Sequence, residues 1–265
     1  MSSGELRINA GRLRTDIDAL AQIGRQENHG IYRMAFSDAD MAGRDWLRQR
    51  IADSELEFYQ DGAANLHARL NWDGNVPSVI AGSHMDTVPG AGHLDGALGV
   101  VCALEALRVL KESGVALQRP LEAVSFSDEE GRFGGLFGSQ SVAGLVTPEY
   151  LHAACDLDGI SLVEAMAQQG LDAREALHAQ RNPDSIHAYV ELHIEQGGLL
   201  EQKGLQIGIV EGIVGLNWWD VTFKGFANHA GTTPMDQRKD ALLAAARFIQ
   251  EVNAVALDRE GRQVA

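Results

Sequence analysis

Cysteine is scarce in this sequence: Cys102 and Cys155 are the only two among 265 residues, and their spacing fits neither a metal site nor a disulfide framework. Both read as free thiols. Basic residues are also short, 22 against 37 acidic ones, for a formal charge of −15. Such a surface opposes phosphate backbones and anionic membranes, so no nucleic acid or membrane partner is expected. No apolar run approaches the length of a membrane span, and the opening residues, MSSGELRINAGRLRTD, lack a signal-type apolar stretch. The expected location is cytoplasmic. Repeats, low-complexity tracts and long charge blocks are missing too. What remains is ordinary globular material, 45% hydrophobic and long enough for one large domain or two smaller ones.

The most informative stretch is 76–100, VPSVIAGSHMDTVPGAGHLDGALGV. Val79, Ile80 and Ala81 form an apolar run of the kind found in a central strand covered on both faces. That strand delivers His84 and Asp86 into a glycine-rich loop, which carries Asp95 before a helix over 100–111 begins. A second strand over 121–126 ends in the polar run SDEEG. Strand, helix, strand in this order predicts a parallel sheet with crossover helices, whose chemistry lies beyond the carboxyl ends of the strands.

Elsewhere, Leu13, Ile17 and Leu20 predict a first helix stopping near Gly24, and a second helix starts at Asp38 as its N-cap. Strands over 56–59 and 65–70 join through Asp61 and Gly62. Ser161 with Glu164 forms a capping-box pattern, closed by Gly170. Residues 188–195 alternate, with Val190, Leu192 and Ile194 on one face and Glu191, His193 and Glu195 on the other, predicting a strand whose polar face carries His193. A composition change near 216 marks a domain boundary. After it, 218–226 reads as a strand, followed by a helix with Thr233 as N-cap and Pro234 first, turning Leu242, Ala246, Ile249 and Val252 inward. One strand and one helix cannot make an independent domain, so this part either packs on the body or begins a longer protein.

His84, Asp95, Glu130 and His193 supply the imidazole and carboxylate mixture that suits zinc or manganese. Glu129 beside Glu130 lets one carboxylate bind metal while the other takes a proton from water. Asp86 is placed to accept the second ring N–H of His84. Singly, each has a plainer reading as a turn residue or a solvated loop; four of them at strand ends argue for a site.

The runs GSHMDTVPGAGHLDG, DEEGRFGGLFGS, ELHIEQGGLLE and NHAGTTPMDQRKDAL, with FSDAD near Phe36, resemble the N-carbamoyl-L-amino acid hydrolase, allantoate amidohydrolase and ureidopropionase family of two-metal amidohydrolases related to aminopeptidases. The resemblance implies an α/β catalytic domain, here 1–215, with a mostly parallel sheet and helices on both faces. Residues 216–265 would begin a smaller α+β lid or dimerisation domain. It implies two divalent ions, zinc or manganese: His84, Asp95 and His193 hold one, and Asp95 bridges to a second held by Glu130 and a later histidine. Glu129 would be the general base. Gln196 would contact a small carboxylate substrate, and His229 would polarise its carbonyl, commonly across a homodimer interface. The family's last metal histidine and its substrate-carboxylate arginine fall after residue 265, and the loop 130–138 is a residue or two shorter than the usual form. The reaction implied is hydrolysis of the C–N bond of a carbamoyl or ureido group. An aminoacylase or dipeptidase with the same metal site is the alternative, and an inactive fragment or metal-binding module is another.

Overall fold

The computed structural model describes residues 6–27, 29–215 and 217–258. The chain divides into two compact units between Lys203 and Gly204. In the first unit, Asn9 caps α1 (Ala10–Leu20) by accepting the Arg12 N–H at 3.0 Å. A short ladder, β1 (Arg25–Gln26) with β2 (Gly30–Ile31), leads to α2 (Asp38–Asp53). Its cap is Ser37 rather than Asp38: the Ser37 hydroxyl accepts the Asp40 N–H at 3.2 Å, which leaves Asp38 inside the first turn, where an acid complements the helix dipole.

The hairpin of β3 (Glu57–Gln60) and β4 (Leu66–Leu70) forms where predicted. Its turn is longer than a dipeptide, and the Asp61 carboxylate organises it by accepting the Ala63 and Asn65 N–H groups, both at 2.9 Å. Next come β5 (Ser78–His84), α3 (Ala97–Ser113) and β6 (Leu121–Phe126). β7 (Ile186–Val190) completes a five-stranded sheet of order β3-β4-β6-β5-β7. The expected α/β architecture is present with a mixed sheet: β6, β5 and β7 run parallel, while β4 is antiparallel to both β3 and β6. Pairing of His84 with Phe126 brings the carboxyl ends of β5 and β6 level.

α1, α2 and α3 cover one side of the sheet, where Leu20, Leu47, Ile51, Leu66, Val100 and Leu104 form the main core. Leu104 is fully buried, and its truncation to alanine would cost about 2–5 kcal/mol. A second core gathers Phe36, Phe133 and Phe137 with α4 (Phe137–Val142), α5 (Pro148–Ala153) and α6 (Leu162–Gln168). Ser161 caps α6 as predicted, its hydroxyl accepting the Glu164 N–H at 3.1 Å.

β7 is shorter than its alternating pattern. It ends at Val190, so His193 lies in the irregular segment that follows, before α7 (Leu199–Lys203). Val190 and Leu192, which the alternation sets on one face, are both exposed, and Leu192 lies beyond the end of β7.

The second unit departs further from expectation. Residues 218–226 make no strand: among the described residues no strand lies beside them, and the Phe226 N–H donates to the Lys239 carbonyl at 3.0 Å without extending into a ladder. The helix α8 (Ala241–Asp258) starts well after Thr233 and Pro234, with the Asp240 carboxylate accepting the Leu243 N–H at 3.1 Å. Arg238 is extended at its C-cap position after the turn Met235–Gln237, which separates that turn from the helix. Leu242 and Ile249, expected to face inward, are 78% and 66% exposed. Among the described residues no helix is long and apolar enough to cross a membrane.

Candidate metal centre

The carboxyl ends of β5 and β6 and the segment after β7 meet at one place, as the parallel part of the sheet requires. His84, the last residue of β5, is 3% exposed. Its Nδ1 lies 2.9 Å from the backbone carbonyl oxygen of Asp86. Donation there places the ring proton on Nδ1 and leaves the Nε2 lone pair free. His193 repeats the arrangement, with Nδ1 2.9 Å from the Ile194 carbonyl oxygen, and its ring stacks on that of His84 at 6.0 Å between centroids. Its Nε2 stands 3.2 Å from Asp95 Oδ1. One donor atom from each of His84, Asp95 and His193 lies within 4.8 Å of the others, so these three side chains fit a single cation.

The glycine loop makes this approach possible. Gly96, at the N-terminus of α3, has φ 58°, and a Cβ there would collide with the His84 ring. Asp95 thereby enters at the helix N-terminus, where the helix dipole favours a carboxylate.

Two more predicted residues arrive on the loop after β6. Asn65 pins its base, accepting the Ser127 N–H at 2.9 Å and donating to the Gly138 carbonyl at 3.1 Å. Glu129 Oε2 comes within 3.4 Å of His84 Nε2. Glu130 is oriented through its backbone, whose N–H donates to Asp86 Oδ2 at 3.0 Å, while its buried Oε1 has no hydrogen-bond partner. Asp86 therefore differs from its sequence expectation. The His84 ring bonds its backbone carbonyl, and its carboxylate, 3.8 Å from the ring, turns to the Glu130 amide, which otherwise has no acceptor.

Burial pushes the Asp86 carboxyl up to about 6. Burial also raises Glu130, with Asp95, Glu129 and Asp86 adding to the effect. For His84 burial alone would lower the pKa, but the charges of Asp86 and Glu129 leave it raised. An orphaned carboxylate oxygen, raised acids and two imidazoles whose Nε2 atoms face carboxylate oxygens are what a divalent cation would satisfy.

Asp128 was not singled out by sequence. It is fully buried, with φ 49°, and both its oxygens accept the Phe133 N–H at 3.2 and 3.3 Å, folding the loop back so that Glu129 and Glu130 project toward His84. Burial, with the nearby charge of Asp86, lifts it to about 7. Its one sequence signal is its place in the acidic triplet 128–130. Arg33, also fully buried, donates from Nε to the Met85 carbonyl at 2.7 Å and so fixes the backbone between His84 and Asp86.

The remaining predicted residues take different positions. Gln196 lies beside the centre, its amide nitrogen 2.9 and 3.1 Å from the two Asp95 oxygens. His229 belongs to the second unit, on an exposed turn where the Gly231 N–H donates to its Nδ1 at 3.1 Å.

The sequence pattern of peptidase family M20/M25/M40 matches residues 80–263, the stretch that carries all of these side chains except Arg33 and Asn65. The chain belongs to that family. Among its relatives, the N-carbamoyl-L-amino acid amidohydrolase of Geobacillus stearothermophilus is 42% identical over 251 residues, covering 92% of this chain and 60% of that protein. The allantoate amidohydrolase of Escherichia coli (strain K12) is 39% identical over 235 residues, covering 88% of this chain and 57% of its own length. A crystal structure of a hydantoinase/carbamoylase family amidase from Burkholderia multivorans superposes with a TM-score of 0.78 at 32% identity, covering 97% of this chain and 62% of that one. The chain thus spans 57–62% of the length of these M20 relatives. The M20 family is metal-dependent, and the triad of His84, Asp95 and His193 is compatible with that chemistry.

Proposed function

We propose that this chain carries the metal centre of an amidohydrolase that cleaves the C–N bond of a carbamoyl or ureido group on a small carboxylate. The observation that carries the proposal is the convergence of His84, Asp95 and His193 within 4.8 Å, with the Glu129 carboxylate 3.4 Å from His84. The names of the relatives supply the substrate class.

We read the centre as holding two divalent ions, zinc or manganese. His84, Asp95 and His193 would hold one, and Glu130, with its unpartnered Oε1, would share the second with Asp95. Such ions supply Lewis acidity and a water of lowered pKa. Glu129 accepts the proton of the attacking water and returns it to the departing nitrogen. Asp86 and Asp128 hold the loop that presents Glu129, through the Glu130 and Phe133 amides. Gln196 contacts the substrate, and His229 stabilises charge developing on the carbamoyl oxygen. On this reading the second unit is a lid that also forms a homodimer, with the exposed apolar residues of α8 as the surface in favour. Cys102 and Cys155, both unpaired, accord with a cytoplasmic location.

The test is an assay of the metal-loaded protein for ammonia release from N-carbamoyl-L-amino acids and allantoate, beside amino-acid release from dipeptides. Glu129→Gln should lower ammonia release about 10²–10⁴-fold with metal content unchanged. Retained turnover would remove Glu129 from its role. Activity on dipeptides alone would move the protein to an aminoacylase or dipeptidase.

A further inference from the structure

Gln196 has an unusual setting. Its backbone sits in the left-handed region at φ 54°, a conformation that non-glycine residues adopt at a cost and that persists where the surroundings hold it. The side chain turns back across the centre, and its amide nitrogen straddles Asp95, 2.9 Å from Oδ2 and 3.1 Å from Oδ1. The reverse orientation of the amide would set its oxygen against the carboxylate, so the N–H groups must be the ones that face Asp95. Asp95 Oδ1 also faces His193 Nε2 at 3.2 Å. Oδ2 faces the amide, on the carboxylate that a second ion would need to share with Glu130.

We propose that Gln196 is a placeholder for the second cation: its amide N–H groups occupy Asp95 while that ion is absent, and release Asp95 when it binds. The amide presents partial positive charge to a carboxylate whose neighbours include Glu129 and Glu130, which stabilises the metal-free centre. Arrival of the ion takes over Asp95 and frees the side chain to swing toward substrate, so metal loading and readiness to bind substrate become one event. The placeholder role rests on the two-ion reading of the centre. It also separates Gln196 from a residue that merely orients Asp95 for metal, because the two roles predict opposite signs when the amide is removed.

The experiment is calorimetric titration of the metal-free 265-residue chain with Zn²⁺ and, separately, Mn²⁺, carried to millimolar concentrations, for the wild type, Gln196→Ala and Gln196→Asn. Gln196 is exposed, so neither change touches the core. Asparagine tolerates the left-handed backbone and keeps an amide one methylene too short to straddle Asp95. The expected result is that both variants bind the second ion about tenfold more tightly than the wild type, the size of one hydrogen bond to a charged group. Two ions in every protein, with the second bound equally or more weakly in the variants, would overturn the placeholder and leave the two-ion reading standing. No second ion in any of the three would overturn the placeholder, while a second ion held as tightly by Glu130→Ala as by the wild type would overturn the two-ion reading instead.

Discussion

Two buried groups of charge lie at opposite ends of β6, and they are resolved in opposite ways. At its start, Glu122 is fully buried and meets Arg181 at 2.6 Å, Ser78 at 2.5 Å and Arg69 at 3.2 Å, with His67 Nδ1 at 3.4 Å. Burial alone would raise its pKa, but His67, Arg181 and Ser78 hold it well below the usual carboxylate range. Beyond the other end, Asp86, Asp128 and Glu130 are all raised, and Asp86 and Glu130 each keep an oxygen without a partner. The first acid is neutralised by cations from the chain itself. Among the described residues the second group has no Arg or Lys paired to its carboxylates, the buried Arg33 being directed at backbone carbonyls, and such a deficit next to two imidazoles is what a cation from outside would fill.

The comparison breaks most easily at Glu122. Glu122→Ala leaves Arg69, Arg181 and His67 without their shared carboxylate and should cost about 3–5 kcal/mol in urea unfolding. A loss under about 1 kcal/mol would mean the cluster contributes little. The same interaction has a pH signature with a fixed sign. Because the folded pKa of Glu122 is depressed, its stabilisation is present above the unfolded value of about 4.3 and is lost as pH falls through the folded value. Unfolding curves of the wild type below about pH 4 should show this loss, and Glu122→Ala should flatten it.

The metal end should respond to a ligand instead. A divalent ion at a hundred times its dissociation constant should stabilise the wild type by about 2.7 kcal/mol, and removing the ion with a chelator should reverse the gain. The smallest effect carries the opposite sign to that at Glu122: in the metal-free chain, Glu130→Gln should raise stability by about 0.5 kcal/mol once solvent screening is allowed for. A loss of stability there would mean Glu130 is already satisfied.

Much of the candidate metal centre was legible in sequence because its residues sit at the ends of apolar runs. The strand before His84 and the glycine loop around Asp95 are local signals, and the acidic run after Phe126 marks the end of β6. What failed depended on neighbours. Alternation over 188–195 records two possible faces, but the strand stops at Val190, and the residues of 218–226 have strand-forming side chains with no strand beside them among the described residues. The partner of the His84 ring could not be read either, since a backbone carbonyl leaves no trace in residue identity. The Glu122 cluster was invisible for a related reason: within LEAVSF it is one acid in an apolar strand, and its cations arrive from β4 and from the segment before β7.

The central claim is that the deficit of positive charge beyond β5 and β6 is a metal site built on His84, Asp95 and His193. Its most direct measurement is the zinc or manganese content of the purified chain after dialysis against the metal, compared with His193→Ala. The account predicts at least one tightly held ion per chain in the wild type and its loss in the variant. An ion held equally well by both, or by neither, would contradict it.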